Sequence, residues 1–180
     1  MDERGRRVPG VRLRGRAGVS AAASDDAQIA RLEAEDRRLR FDRFEHADAY
    51  AVGQLIIELA STRALTITAT VWLGEQLAFA GALAGTSADN DSWMRRKAAV
   101  VRRFDASSQL VRLRWASYGV TAPALALGLD PAVYSFSGGA VPIRIGATQV
   151  GVAAASGVSD EVEHALVIEA LEGRLGLSAR

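Results

Sequence analysis

The stretch TITATVWLGEQLAFAGAL, residues 66–83, decides the fold. In its first half Ile67, Ala69 and Val71 alternate with threonines, which is the period-two pattern of a half-buried β-strand. Residues 73–75 have the composition of a turn, and the remaining residues predict a second strand that runs back along the first. The stretch therefore predicts a β-hairpin within an antiparallel sheet.

A second hairpin is predicted nearer the C-terminus. There VPIRIG (141–146) and QVGVAAAS (149–156) form two apolar segments separated by a short turn. The second of these strands presents Gly151, Ala153 and Ala155 on one face. Residues this small allow a helix or another subunit to pack closely against the strand.

Helical spacing and helix-end signals predict helices around both hairpins. They are expected at about residues 24–40, 47–63, 89–104, 108–119 and from Asp160 onward. Gly53, inside the second helix, predicts a close approach of another backbone, and Asp160 with Glu163 predicts a capping box on the last helix. The order helices, hairpin, helices, hairpin, helix predicts an α+β domain with an antiparallel sheet.

The composition is that of an ordinary globular domain, with 49% apolar and 24% charged residues among 180. Cysteine is absent, which excludes disulfides, thiolate nucleophiles and cysteine-ligated metals. The sequence has neither a secretory signal nor an apolar run long enough for a membrane span. We therefore expect a cytoplasmic protein with no membrane partner.

Residues 1–24 carry six arginines among glycines and small residues. Such a segment cannot bury an apolar face, so it predicts a disordered arm that leaves 25–180 as a single domain. A basic arm can bind nucleic acid, a transit peptide has a similar composition, and an extended start of the chain is a third explanation. The rest of the chain is mildly acidic, which argues against a nucleic-acid-binding body.

Lys97 is the most informative single residue and the only lysine in the chain. When residues 89–104 are placed on a helix, Trp93, Val100 and Phe104 share one side, and Lys97 falls inside this apolar face. A buried ammonium needs a partner or a cavity. Two interpretations stay open: an anion anchor or low-pKa amine that faces a pocket, or a structural ion pair or snorkelling stem.

Two other groups of residues are weaker candidates. The pair Gly138-Gly139 either turns backbone N–H groups toward a ligand or permits a tight turn into the following strand. His46 and His164 have no second histidine at ligand spacing, which argues against a zinc site. Either histidine has a capping or surface role or, alternatively, serves as an axial haem ligand.

Four segments together carry a resemblance to a known family. They are GTSADNDSWMRRKAAVVRRFDASS (85–108), GGAVPIRI (138–145), VGVAAASG (150–157) and HALVIEALE (164–172). Over about residues 41–173 the chain resembles the uncharacterised family related to GlcG and the haem-degrading HbpS-like proteins. That family often has a histidine just before the Gly-Gly pair, where this chain has Ser137. The substitution puts in doubt any haem or acid–base chemistry that the histidine supports.

The resemblance implies an antiparallel sheet of about five strands, dimers that assemble into rings or shells, and a cleft between the Arg-Lys helix and the Gly-Gly segment. The candidate ligand-binding residues are Asn90, Trp93, Arg96, Lys97, Gly138 and Gly139. A small organic anion or haem is the implied ligand, with His164 and Met94 as the remaining candidates for iron ligation. Catalysis is left open, and the alternative function is a non-enzymatic, chaperone-linked assembly adaptor without a ligand.

Overall fold

A computed structural model describes residues 16–177 of the chain. In order, its elements are α1 (Arg16–Arg38), α2 (His46–Thr62), β1 (Thr68–Leu73), β2 (Gln76–Ala82), α3 (Ala88–Phe104), α4 (Ser108–Ser117), α5 (Pro123–Ala126), β3 (Ala140–Ile145), β4 (Thr148–Ser156) and α6 (Asp160–Leu175). Both predicted hairpins are present, and the α+β class is confirmed. Helix α1 begins earlier than predicted, and residues 1–15 of the predicted arm lie outside the described residues.

The strands form one antiparallel sheet in the order β2-β1-β4-β3. The two hairpins lie side by side because β1 pairs with β4, from Thr68 opposite Ser156 to Leu73 opposite Gly151. Within residues 16–177 the sheet has four strands, and a single parallel bridge between Phe41 and Ile145 extends it at the β3 edge. The sheet of the described residues thus has four strands, where about five were expected.

Helices cover both faces of the sheet. Helices α2 and α6 pack on the face that carries Ala69, Val71, Ala153 and Ala155, and α3 packs on the opposite face around Trp72. The first strand is therefore buried on both sides, whereas its alternation predicted one solvent-facing side. The prediction was wrong on this point because threonine is small enough to lie under α3, so that Thr68 and Thr70 are buried.

The small residues of β4 allow this close packing of helices. Ala153 and Ala155 belong to the core under α2 and α6, while Ala154 lies in the cluster under α3. A Cβ atom on Gly151 would lie 2.2 Å from the carbonyl oxygen of Trp72 on the neighbouring strand. The predicted strip of small residues is thus covered by the helices of the same chain.

Gly53 of α2 is also explained by close packing. A Cβ atom at this position would lie 2.1 Å from Cδ1 of Phe79, so an aromatic ring from β2 occupies the space. The prediction of a close approach is confirmed, although the group that approaches is a side chain rather than a backbone.

A third apolar cluster joins α1 to α4. Leu32 of α1 is fully buried against Leu110 and Val111 of α4, together with Val100 and Ala106. The apolar side chain of Leu32 on the first helix is therefore covered within the chain. No helix of residues 16–177 combines the length and the apolar character needed to cross a bilayer.

Candidate functional site: a two-part cleft beside helix α3

Lys97 lies where the helical pattern predicted it, on the buried face of α3. The residue is 2% exposed. The Nζ atom donates a hydrogen bond to Oε2 of Glu163 and another, of 3.3 Å, to the carbonyl oxygen of Ala155. Of the two interpretations of Lys97, the buried ion pair is therefore the one that the structure bears out.

Glu163 comes from the first turn of α6 and is equally buried. Its Oε1 atom accepts hydrogen bonds from the backbone N–H groups of Gly157, at 2.6 Å, and of Val158, at 3.0 Å. The predicted capping box with Asp160 was wrong, because this carboxylate instead binds Lys97 and the backbone before the helix. Burial raises the pKa of Glu163 above its ordinary value, although Lys97 and the two amides act to lower it.

The Gly138-Gly139 pair packs directly against this ion pair. A Cβ atom on Gly139, whose φ is +101°, would lie 2.7 Å from Oε2 of Glu163. One on Gly138 would lie 2.3 Å from Oε1 of Gln109. The glycines are therefore required for close packing of the chain against itself, and they bring the Gly-Gly segment next to Lys97.

A polar pocket of about 300 Å³ opens beside the ion pair. We call it the polar pocket; it is lined by Asp89, Asn90, Trp93, Lys97, Ser137, Ser156, Gly157, Val158, Asp160 and Glu163. Three of these residues are acidic and one is basic, so the charge lining this pocket does not favour an anion. Lys97 cannot serve as a free anion anchor there, because Glu163 already neutralises it.

Asn90 is held by the start of α3. Its Oδ1 atom accepts from the backbone N–H of Ser87 at 2.8 Å, which makes it the third residue of a capping box. Its amide nitrogen donates to Oγ of Ser156 at 3.4 Å. Asn90 thus lines the polar pocket while it stabilises the helix N-terminus.

An apolar pocket of about 500 Å³ adjoins the polar one and shares Trp93 and Ser137 with it. We call it the apolar pocket; its walls come from Trp93, Tyr134, Phe136, Pro123, Leu125 and Pro131 with smaller neighbours from residues 116–137. Arg96 and Arg112 are its charged lining residues, and the lining contains no carboxylate. The two pockets together form one cleft along α3, apolar at one end and polar at the other.

The two arginines of the apolar pocket differ in how they are held. The Arg96 guanidinium lies 4.1 Å from the centre of the Trp93 ring, and its Nε atom donates to the Ser92 carbonyl at 3.4 Å. Arg112 is paired with Asp160 at 3.4 Å and with Glu161 at 3.2 Å. Within residues 16–177 no carboxylate pairs with Arg96, so it is the basic group that can accept an anion in the cleft.

The candidates for iron ligation lie elsewhere. His164 is buried with its Nε2 atom 3.0 Å from Oε2 of Glu35, and it does not line the cleft. Met94, a residue of α3, is fully buried against the sheet, where its sulfur accepts from Thr70 at 3.4 Å. His46 is exposed and bonded to Gln76 at 3.0 Å. The cleft therefore does not fit haem ligated through a histidine or a methionine of residues 16–177.

Sequence reasoning missed the residues that form most of the apolar pocket. Tyr134, Phe136 and Pro123 come from the segment after α4, for which no helix or strand with defined bounds was predicted. Two prolines and two aromatic residues within one such segment were the available signal for a binding wall. Among the described residues, no group of three histidine or acidic side chains is arranged to hold a metal ion.

Comparison with known sequences identifies one family and several similar proteins. Residues 44–172 match the family described as haem degrading protein HbpS-like. A UPF0303 protein of Streptomyces avermitilis is 42% identical over 151 residues, which cover 83% of this chain and 92% of that protein. A UPF0303 protein of Zymomonas mobilis is 38% identical over 155 residues, covering 86% and 83% of the two chains.

Comparison with solved structures shows the same fold. The Ybr137w protein superposes with a TM-score of 0.77 at 22% identity, covering 92% of this chain and 98% of that one. HbpS superposes with a TM-score of 0.61 at 17% identity, covering 76% and 93%. A complex of PduOC with haem gives a TM-score of 0.61 at 11% identity, covering 71% of this chain and 92% of that one.

Proposed function

This chain belongs to the HbpS-like family, and we propose that it binds a small organic anion with a planar apolar body in the cleft beside α3. Membership of the family leaves the ligand undefined, because relatives that are 42% and 38% identical are themselves called UPF0303 proteins. The proposal therefore depends on the chemistry of the cleft rather than on a name.

The observation that carries the proposal is the lining of the apolar pocket. Trp93, Tyr134 and Phe136 supply aromatic walls, and Arg96 supplies a positive charge with no carboxylate partner. A pocket of about 500 Å³ lies within the size range of small-molecule sites, which are mostly apolar with few polar groups. A flat apolar molecule with a carboxylate at one edge matches both features.

The roles of the candidate residues follow from their positions. Arg96 would bind the anionic group, and Trp93 would contact the planar body. Lys97 would act as a positioning residue, because its ion pair with Glu163 fixes the floor of the cleft beside Gly138 and Gly139. Arg96, rather than Lys97, is therefore the residue that we propose to bind the anionic group.

Haem is a suitable probe for this proposal because the descriptions of similar proteins mention haem. The family is described as haem degrading, and the PduOC structure is a haem complex. Porphyrin carboxylates suit Arg96, whereas neither His164 nor Met94 lines the cleft to ligate the iron. We therefore expect metal-free protoporphyrin to bind about as tightly as haemin.

The test is a titration of the purified protein with haemin and with protoporphyrin, followed by quenching of tryptophan fluorescence. Arg96→Ala should weaken binding of both by about tenfold or more, because a charge-assisted hydrogen bond is lost. Arg95→Ala is the matched control, since Arg95 is an exposed neighbour that lines neither pocket. Equal affinity of Arg96→Ala and the unmodified protein would refute the proposal.

Assembly into homo-oligomers is a second proposal, and the β2 edge of the sheet favours it. Strand Gln76–Ala82 has no charged residue and no proline, and Leu77 on it is 51% exposed. An unprotected apolar edge tends to pair with another chain, so we expect copies of this chain to associate there. Native mass spectrometry of Leu77→Lys should show a smaller assembly than the unmodified protein; an identical mass would count against this edge.

The alternative function, an assembly adaptor without a ligand, is separated from ligand binding by the same experiments. An oligomer that binds neither porphyrin would favour the adaptor. The cytoplasm remains our proposed location, for which the absence of cysteine is the support.

A further inference from the structure

A second cleft, distant in the fold from the one beside α3, is rich in arginine. It lies between α1, the α3–α4 junction, α4 and the β3–β4 turn, and its volume is about 670 Å³. We call it the arginine cleft; it is lined by Glu33, Asp36, Arg37, Arg40, Asp105, Ala106, Leu110, Arg114, Arg144, Gly146 and Ala147. It shares no lining residue with the apolar or polar pocket.

Most charges in the arginine cleft are already paired. Glu33 accepts from Arg114 at 2.8 Å and lies 3.9 Å from Arg37. Asp105 accepts from Arg144 at 2.6 Å through Oδ1 and, also at 2.6 Å, through its backbone carbonyl oxygen. Among the lining carboxylates, these pairs leave Asp36 without a salt bridge within residues 16–177.

Arg40 is a further arginine of the arginine cleft. Its Nη1 atom donates to the carbonyl oxygens of Asp36 and Leu39, both neutral acceptors, and no side-chain carboxylate within residues 16–177 pairs with it. Burial, and then the neighbouring charge of Arg144, lower the pKa of the Arg40 guanidinium, although the charges of Asp36 and Asp105 act to raise it. A half-buried cation next to a second cation is stabilised by an anion that both can approach.

Two buried polar atoms in the same cleft also lack partners. The Nε atom of Arg144, a residue that is 5% exposed, and the Oδ1 atom of Asp36 are both buried without a hydrogen bond. Burial raises the pKa of Asp36, although the backbone N–H of Ser107 and the charges of His164 and Arg144 act to lower it. The cleft therefore has one spare donor, Nε of Arg144, and one spare acceptor, Oδ1 of Asp36, and it is not a closed ion-pair network.

We propose that the arginine cleft binds a compact phosphate-type oxyanion, with Arg40 and Arg37 as its main contacts. The planar guanidinium fork matches the oxygens of a phosphate group and donates two parallel hydrogen bonds. Arg37 suits this role because 68% of its side chain is exposed and its distance to Glu33 is long. The ligand class is a phosphorylated small molecule or a free phosphate anion.

The experiment is isothermal titration calorimetry of the full-length protein with inorganic pyrophosphate at low and at moderate salt. Arg40→Gln keeps a side-chain donor for the two carbonyls but removes the charge, and Arg37→Gln alters an exposed residue that the fold does not need. Each substitution should weaken pyrophosphate binding by about tenfold or more, and added salt should weaken pyrophosphate binding by the unmodified protein. Arg95→Gln, an exposed arginine outside the cleft, should bind as the unmodified protein does.

The result that overturns the proposal is the absence of pyrophosphate binding, or unchanged binding in both Arg40→Gln and Arg37→Gln. Titration with a phosphorylated sugar distinguishes a phosphorylated small molecule from a free phosphate anion as the ligand. Much tighter binding of the phosphorylated sugar than of pyrophosphate identifies a small-molecule ligand. Haemin binding should be the same in all these variants, so failure here is distinguishable from failure of the cleft beside α3.

Discussion

Replacement of Lys97 by methionine should strongly destabilise the fold. Lys97 and Glu163 are 2% exposed each, and methionine fills most of the lysine volume without its charge. Removal of one partner from a buried ion pair costs about 3–5 kcal/mol, because the other charge is left uncompensated. For a chain of this size such a loss lowers the melting temperature by roughly 6–20 °C.

The assay is urea unfolding followed by circular dichroism, at several pH values and with the double variant Lys97→Met/Glu163→Gln. The double variant should recover part of the lost free energy, because it leaves no unpaired buried charge. In Lys97→Met the pKa of Glu163, already raised by burial, rises further. A raised folded-state pKa means that the folded state binds the proton more tightly, so this variant should gain stability as the pH falls through that pKa.

The reasoning fails if Lys97→Met unfolds at the same urea concentration as the unmodified protein. It also fails if the double variant is no more stable than the single one at neutral pH. The single variant Glu163→Gln separates the effect of the charge from that of the hydrogen bonds. It removes the charge while it keeps an acceptor for the N–H groups of Gly157 and Val158.

Three further predictions concern packing and pH. Gly139→Ala should cost about 1–3 kcal/mol of folding free energy from its φ of +101° alone, and more from the contact with Glu163. Gly146→Ala is the control, because its φ is +57° and the space around it is open, and it should cost about 1–2 kcal/mol. Equal melting temperatures of the two variants would contradict this prediction. Gly53→Ala should cost about 1–3 kcal/mol by overpacking against Phe79, and Phe79→Leu in the same chain should relieve part of that loss in urea unfolding. Burial raises the pKa of Glu35, but its histidine partner and two arginines outweigh burial and lower it. Its contribution to stability is therefore present above the unfolded-state pKa and lost as the pH falls through the folded one, so melting of Glu35→Gln should change less between pH 5 and pH 3.

The sequence predicted the burial of Lys97 but not its partner. Helical geometry relates residues three and four positions apart, so it places Lys97 on the apolar face of α3 without regard to the rest of the chain. Glu163 comes from another helix, and a local pattern with Asp160 gave a different explanation for it. Pairs that are close only in the folded chain leave no signature in local spacing.

The strands illustrate the same limit. The alternation of β1 correctly separated its two faces, since Ala69 and Val71 lie under α2 and α6. It did not reveal that α3 would cover Thr68 and Thr70, because threonine is favoured in strands generally and the alternation does not show what packs on each face. The walls of the apolar pocket were missed for a related reason: irregular segments such as 127–139 have no periodicity to interpret.

The ion pair between Lys97 and Glu163 also has a kinetic consequence. Its members are 66 positions apart in the sequence, and the whole β3–β4 hairpin lies between them. Closing so long a loop costs entropy before the contact is gained, and we infer that the pair forms late in folding. Contacts that form after the transition state slow unfolding rather than speed folding. Lys97 and Glu163 therefore affect the unfolding rate of the chain more than its folding rate.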